Sequence, residues 1–148
     1  MYFALPAKKA AFITLLGDFL KGLIPVLLAH WLDQAPLIVA LAAFAAFLGH
    51  CFPIYFNFQG GKGVATAIAA TLGFNWIVGA ILIGIWLLFA KVFRISSLAA
   101  IISFAALPLI VYWHEQDIQV GLVFAVMSVV LIWRHRSNIQ RLISGTES

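Results

Sequence analysis

Nearly everything between residues 10 and 133 is apolar: runs at about 10–31, 37–56, 64–74, 76–93, 97–113 and 118–133 follow one another with only short polar breaks. A helix needs about 20 apolar residues to cross the hydrocarbon of a bilayer, and only helices and closed barrels satisfy every backbone amide there. The runs lack the apolar–polar alternation of barrel strands, so they read as spanning helices. Composition agrees, since 64% hydrophobic and 9% charged residues lie far from the roughly 25% charged usage of soluble domains. The expected fold class is all-α, a polytopic transmembrane helical bundle of about six helices, one of them short and broken after a glycine-rich loop. No internal repeat, low-complexity tract or linker divides the chain, so residues 1–148 read as a single integral membrane domain.

Several classes are excluded early. A lone Cys51 forms no internal bridge, and no Cys/His set has metal-ligand spacing, so neither a metal nor another cofactor is expected. The formal charge of +4 comes from Lys and Arg scattered between apolar runs and not from a stripe, which argues against nucleic acid as a partner. Residues 1–11 run directly into the first apolar stretch, with Lys8 and Lys9 late, and do not read as a cleavable signal peptide.

Charge also decides the topology, because Lys and Arg at helix ends favour the cytoplasm. Were 64–93 a single crossing, Lys62 would lie opposite Lys91, Arg94, Arg134, Arg136 and Arg141. A short helix over 64–74 that turns near Asn75 puts all of these, with Lys8 and Lys9, on one side, and Asp33, Glu115 and Asp117 on the other. Such a short segment is tolerated in a membrane only where it is buried in protein or lines a wet cavity, so it marks a site.

Gly60-Gly61-Lys62-Gly63 stands immediately before that short helix. Close backbone approach, free amide donors, the positive end of the helix dipole and a mobile ammonium together form a phosphate cradle. Thr66, one turn inside, is placed either to cap the helix or to donate its hydroxyl to the same anion. It is not a Walker A loop, since Gly63 stands where that motif needs Ser or Thr. A plain turn with a cytoplasmic lysine accounts for the same shape.

After the last span, helical spacing brings Arg134, Asn138 and Arg141 toward one face, with His135 close to Asn138. Imidazole and amide there can orient a hydroxyl nucleophile. A polybasic stop signal explains the arginines but not Asn138. Asp18 and Lys21 lie three apart inside the first span, where an isolated charge costs roughly 2.5–3.5 kcal/mol on insertion scales, so they are expected to pair, for function or for helix packing. His50 reads as an interior histidine or a ligand, and Cys51 as a small core residue. His30 and His114, beside Trp31 and Trp113, read as interface anchors.

The run Gly49-His50-Cys51-Phe52-Pro53 through Gly60-Gly61-Lys62-Gly63-Val64-Ala65-Thr66 resembles the second signature of the PlsY family, the bacterial acyl-phosphate:glycerol-3-phosphate acyltransferases. Arg134-His135-Arg136-Ser137-Asn138 through Gly145-Thr146-Glu147 is similar to the third, and Gly17-Asp18 through Lys21-Gly22 to the family's intramembrane Asp/Lys segment. The resemblance covers essentially the whole chain. It implies transfer of an acyl group from acyl phosphate to the 1-hydroxyl of glycerol 3-phosphate, giving lysophosphatidate and phosphate, the first acylation of phospholipid synthesis. It implies a multi-pass protein of the bacterial cytoplasmic (inner) membrane with its active site facing the cytoplasm. Expected partners are the two substrates, membrane lipids and a soluble enzyme that makes the acyl phosphate. By resemblance, Gly60, Gly61, Lys62 and Gly63 hold the glycerol phosphate, His135 and Asn138 orient hydroxyl and carbonyl, and Glu147 supports them. Thr66 is grouped with the phosphate ligands, and Asp18, Lys21, His50, Arg134 and Arg141 with the supporting residues.

The family's pattern also includes an earlier spanning helix and a first signature rich in Ser, Gly and Asn, ending near an Arg. Residues 1–7 contain neither Ser nor Arg. The chain is therefore expected to be truncated relative to the family, and weakly active or inactive as it stands. Two other readings stay open: a transporter of a phosphorylated metabolite, since broken helices also bind anions near the midplane, and an inactive family remnant. A purely structural membrane subunit has no need of His135 and Asn138 beside a phosphate loop.

Overall fold

The computed structural model describes residues 6–57 and 60–148, and among these every regular element is helical. Helices α1 (Ala7–Trp31) and α2 (Pro36–Cys51) precede a 3-10 turn at Ile54–Phe56. Then come α3 (Val64–Phe74), α4 (Trp76–Phe93), α5 (Ser96–Glu115), α6 (Ile118–Arg134) and α7 (Arg136–Ile143). Three of them, α1, α4 and α5, are long and apolar enough to cross a membrane, and α6 with α7 forms a fourth stretch bent by 59°.

Two elements differ from expectation. The second span ends at Cys51 and not near residue 56, because Phe52 precedes Pro53, whose ring disfavours the helical region for its predecessor; Phe52 sits at φ −133. The tail forms a seventh helix of its own, since the backbone of His135 (φ −92, ψ 11) turns the chain between α6 and α7. Arg134 and Asn138 therefore do not share one continuous helical face.

Between hydrocarbon-bathed helices the hydrophobic effect gives no net attraction, so close packing of small side chains must hold them together. The inward face of α3 is made of Thr66, Ala67, Ala69, Ala70, Thr71 and Gly73, all buried. Eleven residues rise only about 16 Å, well short of a bilayer, and α3 is surrounded by α1, α2 and α4 instead of lipid. It runs in the same direction as α1: the Thr66 hydroxyl donates to the Asp18 carbonyl at 2.8 Å near one end, and His30 Nε2 lies 2.9 Å from the Phe74 carbonyl at the other. Phe47, Phe104, Phe124, Leu107 and Met127 fill the centre, with the Phe74 and Phe124 rings 5.0 Å apart.

At the bundle end remote from the glycine loop, Asn75 is the junction between α3 and α4. Its Oδ1 accepts from the amides of Ile77 and Val78 at 2.9 and 3.2 Å, capping α4. Its amide nitrogen donates to Glu115 Oε1 at 2.9 Å and lies 3.3 Å from His114 Nδ1 on α5. His30 and His114 thus each reach a helix end with a ring nitrogen, beside Trp31 and Trp113, which are largely exposed. Asn75→Ala removes an N-cap, which ordinarily stabilises by about 1 kcal/mol, and leaves Glu115 Oε1 with His114 Nδ1, 3.1 Å away, as its remaining side-chain neighbour. Thermal unfolding in detergent is expected to shift down by a few degrees, while activity at low temperature stays at the parent level because the site lies at the opposite end.

Candidate active site

Gly63 begins α3 with φ +85, in the left-handed region, and no side chain caps the helix. The first-turn amides of α3 consequently have no partner within the helix and present their N–H groups outward. On the other side of the loop, Arg134 holds the carbonyls: its Nη2 donates to Gly60 O at 2.6 Å and to Gly61 O at 2.9 Å, and its Nε to Gly61 O at 3.2 Å. The guanidinium also lies over the Phe52 ring, 5.2 Å from its centre. Arg134 is thus a brace for the loop, spent on its backbone.

Lys62 Nζ donates to Asn138 Oδ1 at 2.5 Å, linking the loop to α7. Asn138 Nδ2 donates to Glu147 Oε1 at 2.6 Å, and the same oxygen accepts from Ser97 Oγ at 2.7 Å. Arg141 Nε donates to Glu147 Oε2 at 2.6 Å. The chain reaches this position by turning back at Gly145 (φ +72). Hydrogen bonds from Ser97, then Asn138 and Arg141, hold the Glu147 carboxyl down at a pKa of about 2. Because the shift is downward, the network is intact at neutral pH and is lost only as pH falls through about 2.

His135 is buried, with Nδ1 2.8 Å from the Leu131 carbonyl. A carbonyl oxygen only accepts, so Nδ1 carries the proton and Nε2 keeps its lone pair. Burial first, and the Lys62 ammonium as well, push its pKa below 6.5, outweighing the Leu131 bond and Glu147, which act upward. His135 is therefore a neutral acceptor at physiological pH.

Lys62, His135, Asn138, Glu147, Ser96 and Ser97 form the polar wall of one pocket of about 270 Å³. Val64, Trp86 and Ala100 form its apolar wall. The size is near the lower end of small-ligand sites. Arg141 is paired with Glu147 and Arg134 with the loop carbonyls, so among the described residues lining this pocket Lys62 supplies the positive charge.

Of the residues singled out in the sequence, the structure brings together Lys62, His135, Asn138 and Glu147, with Arg141 behind them. Thr66 is placed otherwise: it is buried and its hydroxyl is given to the Asp18 carbonyl, so it packs α3 on α1 and offers nothing to an anion. Asp18 and Lys21 form an ion pair at 2.6 Å, and His50 Nδ1 lies 3.4 Å from the same carboxylate. The His50 ring lies directly against Gly61, so this cluster supports the loop from behind. Ser97 escaped the sequence reading; the signal was a serine pair opening an apolar helix just after Arg94, at the end that carries Lys62. Trp86 gave none, since an aromatic within a span looks like any lipid-facing residue.

A family model described as glycerol-3-phosphate acyltransferase matches residues 2–145. A glycerol-3-phosphate acyltransferase of Hydrogenovibrio crunogenus is 48% identical over 141 residues, covering 95% of this chain and 68% of that protein. One from Halorhodospira halophila is 44% identical over 144 residues, covering 97% and 73%. Among solved structures, the glycerol 3-phosphate form of PlsY (YgiH), an integral membrane glycerol 3-phosphate acyltransferase, superposes with a TM-score of 0.88 at 33% identity, over 95% of this chain and 71% of that one. Its lysophosphatidic acid form gives the same score and identity.

Proposed function

The chain belongs to the glycerol-3-phosphate acyltransferase family of integral membrane enzymes, and from that premise we propose how its own residues acylate glycerol 3-phosphate and what donor they use. The observation that carries the reading is a single pocket in which an uncapped helix N-terminus and the Lys62 ammonium lie beside the neutral His135 and Asn138. The phosphate of glycerol 3-phosphate takes the place on Lys62 that Asn138 Oδ1 now occupies, with the α3 amides completing the cradle. Its 1-hydroxyl donates to His135 Nε2, and Asn138, held by Glu147, is the polar neighbour of the acyl carbonyl.

The donor is an acyl phosphate, whose chain lies along the apolar wall while its head reaches the polar one. The hydroxyl oxygen attacks the acyl carbonyl carbon and forms the ester C–O bond. The acyl C–O bond to phosphate breaks, and the hydroxyl proton passes by way of His135 Nε2 to an oxygen of the departing phosphate. The donor is already activated, so the chemistry requires positioning and charge stabilisation more than a strong base. The basic ends of the helices face the cytoplasm of a bacterial inner membrane by the positive-inside rule, which puts the pocket on the side where soluble glycerol 3-phosphate is found and where a soluble enzyme can deliver the acyl phosphate.

The test is phosphate release from a long-chain acyl phosphate by the purified protein, with and without glycerol 3-phosphate, alongside detection of lysophosphatidate. Stoichiometric phosphate and lysophosphatidate that both require glycerol 3-phosphate are expected. Ester formation from acyl thioesters but not from acyl phosphate overturns the donor assignment.

His135 sets a pH dependence. Protonation of Nε2 removes the acceptor for the hydroxyl, and burial keeps that proton off until pH falls below the ordinary imidazole value of 6.5. The acid limb of kcat/KM is expected to have its midpoint below 6.5, and a limb centred above that value contradicts this role.

A further inference from the structure

The pocket has room for the head of an acyl donor but not for its chain. Its volume of about 270 Å³ lies at the lower end of small-ligand sites, and glycerol phosphate takes up its polar side. A long chain has to leave, and it leaves along apolar protein, because each methylene turned out into water carries a free-energy cost. Three residues make the apolar wall: Val64 on α3, Trp86 on α4 and Ala100 on α5.

Each of the three begins a different route away from the basic end of the bundle, and the next residues on the same helical face, three or four positions on, decide which route is open. Below Ala100 stand Ser103 and Phe104, both fully buried. Below Trp86, four positions back on α4, stands Leu82, also fully buried. Below Val64 stands Ile68, which with Val64, Ala65 and Leu72 makes up the part of α3 that is not buried. Ala65 and Ile68 form one wall of an apolar groove of about 290 Å³, and Phe12, Leu15, Leu16 and Phe19 of α1 form the other. Those four are spaced i, i+3, i+4 and i+7, a single face of α1. Groove and pocket therefore meet on α3, where Val64 belongs to the one and Ala65 and Ile68 to the other. The two helices are held at a fixed separation here: Thr66 donates to the Asp18 carbonyl at 2.8 Å, and Gly22 packs so closely on Thr66 that a Cβ there would run into its carbonyl oxygen.

We infer that the groove between α1 and α3 receives the fatty chain of the acyl donor, and that Ile68 determines how strongly chain length is felt. The assignment rests on the acyl-transfer reading above, and the bonds made and broken are those already given. Phosphate and carbonyl stay in the pocket beside Lys62 and His135, the first carbons pass Val64, and the next ones lie on Ile68 against α1. The α1 wall opens toward the bilayer, with Phe12 64% and Leu15 57% exposed. An open-sided groove grips the near part of a chain and leaves its tail in lipid, so long donors are preferred to short ones and no upper length is set.

Chain-length preference tests this. With the full chain in lipid nanodiscs, kcat/KM is measured for palmitoyl phosphate and for butyryl phosphate, and their ratio is compared between variants, so that a general loss of activity cancels. Ile68→Trp fills the groove and is expected to lower the palmitoyl-to-butyryl ratio at least about tenfold, given that a hydrophobic site discriminates by roughly 10–200-fold over a single methylene. Val129→Trp, on the exposed side of α6, is expected to keep the ratio within twofold of the parent. If Ile68→Trp does not fold, Leu16→Trp blocks the same groove from α1. A second measurement uses the parent alone: a non-transferable long-chain acyl phosphonate carrying a diazirine on its chain is expected, on irradiation, to label residues 12–19 and 65–68, and the same phosphonate without the diazirine to suppress that label. Label on α5 and α6 instead, label that the competitor does not displace, a folded Ile68→Trp with the parent's ratio, or an equal fall in Val129→Trp overturns the inference, while lysophosphatidate formation by the parent leaves the acyl-transfer reading standing. No ester from the parent with either donor overturns both.

Discussion

Lys62→Ala is expected to lower kcat/KM for glycerol 3-phosphate by at least about 100-fold, corresponding to about 3 kcal/mol of lost transition-state binding. Hydrogen bonds to charged groups stabilise by roughly 1.5–3 kcal/mol, and the pocket has no second uncommitted cation among its described residues to take over: Arg134 is held by the carbonyls of Gly60 and Gly61, and Arg141 by Glu147. The loss belongs mainly to recognition of the phosphate. Lys62→Arg restores charge but not shape, since a planar guanidinium cannot place a compact ammonium where Asn138 Oδ1 meets it. A partial recovery is expected from it. Steady-state kinetics with varied glycerol 3-phosphate decides, and an alanine variant within fivefold of the parent removes Lys62 from the phosphate site.

Gly63→Val is expected to disable the protein by a different route, through the backbone. At φ +85 the residue lies where L side chains pay about 1–2 kcal/mol and β-branched ones more. Its Cβ would run into the Phe47 ring and stand 2.9 Å from the Cys51 sulfur, a second penalty of about 1–3 kcal/mol for overpacking. The first turn of α3 and Lys62 must move together to relieve it, so both the thermal midpoint and activity fall. Gly145→Ala is the control. It has a similar φ of +72 but open space around its Cβ, so it bears the conformational cost alone. A Gly63→Val protein as stable as Gly145→Ala contradicts the packing described at the loop.

The two experiments separate binding from architecture. Lys62→Ala should fold like the parent and fail in catalysis, whereas Gly63→Val should fail in both. The distinction matters because the loop has two faces: carbonyls tied down by Arg134, and amides left free at the start of α3.

Much of this protein was determined by the sequence alone. Apolar runs of spanning length leave a chain no choice but helices in a bilayer, and basic residues at alternate breaks separate the two ends of the bundle. The pairing of Asp18 with Lys21 followed from the cost of an isolated charge in hydrocarbon, and Lys62, His135, Asn138 and Glu147 stood in motifs close to those of a known family. Only the tertiary structure decided what each polar group spends its hydrogen bonds on. Thr66, one turn into α3, was as well placed on paper for an anion as for anything else, and it turned to α1 because a buried hydroxyl must take the nearest acceptor, the Asp18 carbonyl. The bend at His135 separated Arg134 from Asn138 and sent one to brace the loop and the other to meet Lys62. Ser97 and Trp86 reached the pocket from helices that the sequence showed only as lipid-compatible. Periodicity and composition report the solvent around a helix, whereas which neighbour a side chain meets depends on how the helices pack, and that information is carried by no local stretch of sequence.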